Sequence, residues 1–333
     1  MPEVRSRSLL SRRALLATLA PAVAIGTLGP AWAQAPRYGR LRQVREGLKS
    51  DLPVTIEVAG GAIDIVFADG APGFDRAPAL AWVRGSAETV AAYLGGRFPV
   101  PRLSLLIVAQ EGRRVGRATT WGYGSSTIRV AVGRGADAAT YARDWVMVHE
   151  MLHLMLPTLP ANQFWALEGS ATYAEPVARA RLGKLSQQQL WRGMVRGMPQ
   201  GLPAPGDAGL DHTSTWGRTY WGGAIFWLLA DVRIRRTTRG KMGVEHAFRA
   251  INAASGGNRT ASTMERIAAV GDRATGTGIL SVLYAEMRDA AAPVDLPALF
   301  ASLGVIGDGR GVRFDDGAPL AAIRQAIGGA SPR

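Results

Sequence analysis

Histidine occupies only four of the 333 positions, and two of the four fall in His149-Glu150-Met151-Leu152-His153. The pentad lies within Asp137 to Leu156, where Tyr141, Trp145, Val148, Leu152 and Met155 recur at helical spacing. Asp137 is suited to cap such a helix and Pro157 to end it. Residues four apart on a helix lie about 40° apart around the axis and about 6 Å apart along it, so both imidazoles can reach one ion. The apolar stripe is complete without the histidines, which leaves them free to act as ligands. Glu150, beside the first of them, can hold and deprotonate a metal-bound water. Any fold of this chain must therefore open the middle of this helix to a site and bring a third ligand to it, because catalytic zinc takes three protein ligands and keeps one position free.

Two carboxylates come next in the chain, Glu168 and Glu175, both within Trp165-Ala166-Leu167-Glu168-Gly169-Ser170-Ala171-Thr172-Tyr173-Ala174-Glu175. A turn at Pro157 to Pro160 and a second helix from about Asn162 can carry the first turns of that helix back to the metal, and Glu168 lies at the better depth. The chain has no cysteine. That excludes thiolate zinc sites, iron–sulfur clusters, disulfides and cysteine nucleophiles, and it leaves nitrogen and oxygen donors as the ligands.

The pentad, then Glu168 followed by Gly169 and, at five residues, Tyr173, resembles the gluzincin metallopeptidases. It is similar to the glycyl-aminopeptidase family M61 and more distantly to the M1 aminopeptidases. The likeness continues through Tyr220-Trp221-Gly222-Gly223 and the helix after it to Thr237-Thr238-Arg239-Gly240, where M61 has a tyrosine-x-lysine-glycine segment. The resemblance implies one Zn2+ ion held by His149, His153 and Glu168, with Glu150 as the catalytic base. It also implies Tyr220 as the phenol that donates to the oxyanion of the tetrahedral intermediate, with His212 and Tyr173 as rivals for that role. Gly222 stands where M61 often has lysine.

The resemblance implies a zinc-dependent peptidase acting on a peptide or protein. It covers Thr127 to Gly240 well and the remainder loosely. The glycine-x-methionine-glutamate-asparagine stretch that anchors a free amine in M1 enzymes has no counterpart; Thr119-Thr120-Trp121-Gly122-Tyr123-Gly124-Ser125-Ser126 takes its place. This segment can form an edge strand that pairs with a peptide backbone, or a plain glycine-rich hairpin. Aminopeptidase specificity thus comes from family alone, and a zinc endopeptidase is the alternative. An inactive zincin-fold envelope protein that binds anionic polymer or a membrane surface is another.

The fold expected is α+β and zincin-like: a small mixed sheet with a packed helix, followed by a mainly helical half. Strand patterns occur at Val54 to Val58, Ile63 to Phe67, Leu103 to Val108 and Thr127 to Val132, with a helix at Ala79 to Arg97 between them. Helical patterns follow at Asn162 to Leu182, Ser186 to Met198, Arg218 to Arg236, Val244 to Ala254, Thr260 to Ala269, Gly278 to Ala290, Leu296 to Leu303 and Pro319 to Ile327. The Gly/Pro-rich Gln200 to Gly209 reads as a long surface loop.

Residues 1–33 read as an export signal, with Arg12-Arg13 before an apolar run and Ala31-Trp32-Ala33 as the cleavage site. The paired arginines resemble a twin-arginine signal and predict export to the periplasm or beyond. Residues 34–135 and 136–333 form the two parts of the mature chain, and no further apolar run is long enough to span a bilayer. The net charge of +13 falls to about +10 without the signal and comes from scattered arginines, a pattern of solvated faces that predicts no specific nucleic-acid partner.

Overall fold

The computed structural model describes residues 38–307 and 311–329. The export signal at residues 1–33 lies outside the described residues. Helix α1 (Leu41–Gly47) precedes the strands β1 (Val54–Val58), β2 (Gly61–Phe67), β3 (Arg102–Gln110), β4 (Val115–Trp121) and β5 (Thr127–Gly133), with helix α2 (Arg76–Tyr93) between β2 and β3. The five strands form a mixed sheet in the order β1-β2-β3-β5-β4; β2, β3 and β5 run parallel and the two edge strands antiparallel to them. The inner strands carry continuous apolar runs, Leu105 to Val108 and Val130 to Val132, because helices cover both faces of a parallel core. Helix α1 closes one face through Val44 against Val66, Leu106 and Val108.

The sequence pattern starts the packed helix at Ala79, whereas α2 begins three residues earlier at Arg76. Asp75 caps it by accepting from the Ala77 amide at 3.2 Å, and Pro78 is tolerated because a first-turn amide needs no helical partner.

The helical half contains α3 (Ala138–Arg143), α4 (Val146–Leu152), α5 (Phe164–Arg181), α6 (Gln187–Gly197), α7 (Gly223–Thr237), α8 (Val244–Ser255), α9 (Met264–Thr275), α10 (Ile279–Met287), α11 (Leu296–Ser302) and α12 (Ala321–Gly328). A small antiparallel ribbon, β6 (Val305–Gly307) with β7 (Val312–Phe314), separates the last two helices and has no counterpart among the expected strands. The single helix expected from Asp137 to Leu156 is broken. Asp144 is extended, and its carboxylate accepts from the Val146 and Met147 amides at 3.2 and 3.1 Å and from Trp82 Nε1 at 3.0 Å. A side chain that caps a new helix start while holding α2 outweighs one more turn of helical continuity.

The stretch Gln200 to Gly209 is exposed only in part, at Gln200, Ala204 to Gly206 and Ala208. Gly201 is buried, and the Asp207 carboxylate lies buried 2.7 Å from the Arg218 guanidinium. Sheet and helices share one hydrophobic core that runs from Ile63 and Leu105 through Met151 and Tyr173 to Trp227 and Phe248. Among the described residues no helix is long and apolar enough to cross a membrane.

Candidate metal centre

Helix α4 is short, and this sets the geometry of the pentad. His149 and Glu150 sit in its body, while His153 caps its C-terminus with backbone still in the right-handed helical region, so the four-residue offset survives the end of the helix. The chain then turns through Pro157 to Pro160, and α5 brings Glu168 back over α4. Glu168 Oε2 lies 3.4 Å from His149 Nε2 and 3.5 Å from His153 Nε2. One ligand atom from each of the three residues falls within 4.8 Å of the others. The two rings meet edge to face with centroids 4.9 Å apart, and Trp145 packs edge-on against His149 at 5.5 Å.

Burial opposes the Glu168 charge, yet hydrogen bonds from the two imidazoles outweigh it and hold the carboxyl at about 2. Burial likewise disfavours a charged His153, but the hydrogen bond and charge of Glu168 raise its pKa. Two nitrogens and a carboxylate oxygen, all aimed at one point, suit a zinc ion, whose ligands lie about 2 Å from the metal. Among the described residues these three could hold one ion.

Glu150 lines the same cavity, and its Oε2 lies 2.6 Å from the Thr120 hydroxyl on β4. Thr120 falls in the stretch singled out from the sequence, but nothing there pointed to this contact; its partner is 30 residues away in the chain. The stretch itself divides. Its first part completes β4, which pairs with β5 on one side only, and Gly122 to Ser126 make the turn of a hairpin. Asn258 holds that turn: its carbonyl accepts from the Tyr123 amide at 2.7 Å, and its side-chain oxygen accepts from the Ser126 hydroxyl at 2.6 Å.

Tyr220 lines the cavity as well. It lies in Arg218–Gly222, a single turn of π-helix before α7, where the sequence pattern calls for regular helix. The Arg218 guanidinium explains the wider turn: it donates to the Gly201 carbonyl at 2.7 Å and pairs with Asp207, tying the turn to the preceding loop. Burial, with the charges of Glu168 and Glu150, pushes the Tyr220 phenol up to about 12. The phenol therefore keeps its proton at neutral pH. The two rivals lie elsewhere. His212 is exposed and paired with Asp289 at 2.9 Å, and Tyr173 is buried with its hydroxyl donating to Asp231 at 2.6 Å; neither lines the cavity. Glu175 is two turns beyond Glu168, paired with Arg179 at 2.9 Å and outside the triad.

The cavity encloses about 700 Å³. The outer edge of β4 forms one wall from Val115 to Thr120, and Leu156, Leu159, Phe164 and Leu167 form an apolar wall.

No protein-family model matches the chain, and no curated protein matches it. Solved structures do. An aminopeptidase N family protein from Idiomarina loihiensis superposes with a TM-score of 0.55 at 14% identity, over 76% of this chain and 49% of that one. An M1 zinc metallopeptidase from Deinococcus radiodurans gives a TM-score of 0.46 at 14% identity, over 72% of this chain and 51% of that one. The resemblance is one of fold. The five-stranded mixed sheet followed by a mainly helical half is the part shared with the Idiomarina structure, and the chain spans about half the length of both structures.

Proposed function

We propose that the protein is an exported zinc-dependent metallopeptidase of the gluzincin type, similar to M61 and M1 enzymes. The observation that carries the reading is the convergence of His149 Nε2, His153 Nε2 and Glu168 Oε2 in a cavity that Glu150 also lines. A zinc ion held by these three supplies Lewis acidity and makes water nucleophilic at neutral pH. Glu150 takes the proton of the attacking water and passes it to the leaving amine. Thr120 orients the Glu150 carboxylate from the side of the edge strand. Tyr220, protonated at neutral pH, donates a hydrogen bond from its hydroxyl to the oxyanion that develops on the substrate carbonyl. As an edge strand, β4 has an outer side along which an extended peptide can pair. The twin-arginine-like start supports export, because that route carries chains already folded around a cofactor.

The test is Glu150→Gln. The variant is expected to hold one zinc per chain, measured by metal analysis, while peptide hydrolysis falls by at least about a thousandfold. Unchanged turnover in metal-replete variant would refute the assignment of Glu150 as base. A zinc content well below one per chain in wild-type protein purified without chelator would refute the site as a whole.

A further inference from the structure

Four aromatic side chains are exposed among the described residues: Tyr123 at 71%, Trp145 at 52%, Phe164 at 46% and Trp216 at 60%. Two of the four belong to the cavity that His149, His153, Glu168 and Glu150 also line. Trp145 and Phe164 line it. Trp216 stacks on the ring of Tyr220, which lines it, with centroids 5.6 Å apart and planes at 28°. Tyr123 follows Gly122, another lining residue. The four come from separate segments, namely the β4–β5 turn, the residue before α4, the first residue of α5 and the helical residues leading into the π turn.

The other described aromatic residues are buried or half-buried, and two of the four exposed rings share one cavity wall while a third stacks on the lining residue Tyr220, which is more than isolated surface apolarity. Trp145, Phe164 and Trp216 play no part in the proton transfers above. Below the rim the apolar lining continues inward through Val146, Leu156, Leu159 and Leu167. A concave cavity of about 700 Å³ has the size that takes a short peptide segment rather than a flat lipid surface.

We infer that the cleft selects its substrate by a bulky apolar side chain beside the scissile bond, seated against Trp145 and Phe164 over Leu156, Leu159 and Leu167. The inference rests on the peptidase reading and names the substrate class of that site. The edge strand β4 supplies sequence-independent backbone pairing, and the aromatic rim supplies the choice. Burying an apolar ring from water there gives the bound peptide an advantage that a methyl group cannot match.

The test uses the zinc-loaded Glu150→Gln protein, which binds without turnover, and pentapeptides Gly-Ser-Xaa-Ser-Gly with Xaa as Phe, Leu, Ala or Glu. Each peptide is used with a free and with an acetylated amino terminus. The Phe and Leu peptides are expected to bind at least about tenfold more tightly than the Ala peptide. Adding Phe164→Ala or Trp145→Ala is expected to remove most of that preference while the Ala peptide binds within about twofold, with zinc verified at one per chain because Trp145 packs against His149; Phe164→Leu is expected to retain the preference. Equal affinity for the Phe and Ala peptides overturns the inference, as does an undiminished preference in both alanine variants. So does loss of binding to anionic vesicles on substitution of the rim with peptide selection intact. Failure of the peptidase reading is distinguishable: wild-type protein that cleaves none of the peptides while the binding preference holds removes the reaction and leaves the selective cleft.

Discussion

Glu168 and Glu175 lie two turns apart on one helix, both buried, yet one carboxyl is held at about 2 and the other is pushed up to about 7. Burial opposes the charge on each; what differs is the opposite wall. Glu168 meets two imidazoles, whereas Glu175 meets the single guanidinium of Arg179, with the Asp144 carboxylate near enough to add to the cost of its charge. A pKa raised from 4.5 to about 7 means that the folded state favours protonated Glu175. The stabilisation is therefore full below about 4.5 and is lost as pH rises to about 7, a decline of at most about 3 kcal/mol. Glu175→Gln, whose amide oxygen can still accept from Arg179, is expected to flatten that part of the profile in urea unfolding between pH 5 and pH 8. Identical slopes for variant and wild type would defeat it. At this scale the pentad was legible because ligand spacing on a helix is local, and Glu168, on the next helix, because of the turn at Pro157 to Pro160 and the gluzincin resemblance. Thr120, Trp145 and Phe164 were not legible as site residues, because nothing near them in the chain marks which wall they will face.

Two departures from regular helix decide where the site residues point. The break at Asp144 separates α3 from α4 and sets the start of the helix that carries His149, and the π turn at Arg218–Gly222 sets Tyr220. A third device is the crossing of α5 and α7, whose backbones touch at Gly169 and Gly223: a Cβ on Gly169 would lie 2.3 Å from the Gly223 carbonyl carbon. Gly169 follows the candidate ligand Glu168, and Gly223 follows the turn that holds Tyr220, so this contact bears on the distance between that carboxylate and the phenol. Gly169→Ala must push the two helices apart and is expected to cost about 3 kcal/mol, read by urea denaturation, with weaker zinc retention under chelator competition. Wild-type stability in the variant would show that the crossing is looser than the structure has it. Periodicity located these helices, but the breaks arise from Asp144 and Arg218 bonding to partners on other elements, which no window of sequence contains.

At the scale of the whole chain, a zinc ion would join α4 to α5 within the core that the sheet and the helices share. Binding to the folded state alone stabilises by roughly 4 kcal/mol at a thousandfold excess over Kd, so chelation is expected to lower Tm by roughly 8 °C and readdition of zinc to restore it. An unchanged Tm with metal verifiably removed would show that the triad is not a ligand set. The sequence alone determined the α+β class and the order of most of the elements, and it singled out His149 and His153 as a candidate ligand pair, because hydrophobic periodicity and i,i+4 spacing are properties of a few consecutive residues. The tertiary structure alone decided that β4 closes the sheet as an edge beside the candidate metal site, that Tyr220 rather than His212 or Tyr173 lines the cavity, and that the exposed rings of Trp145 and Phe164 stand in its wall. Those outcomes depend on contacts between residues from 30 to more than 100 positions apart, and such contacts exist only once the core has packed.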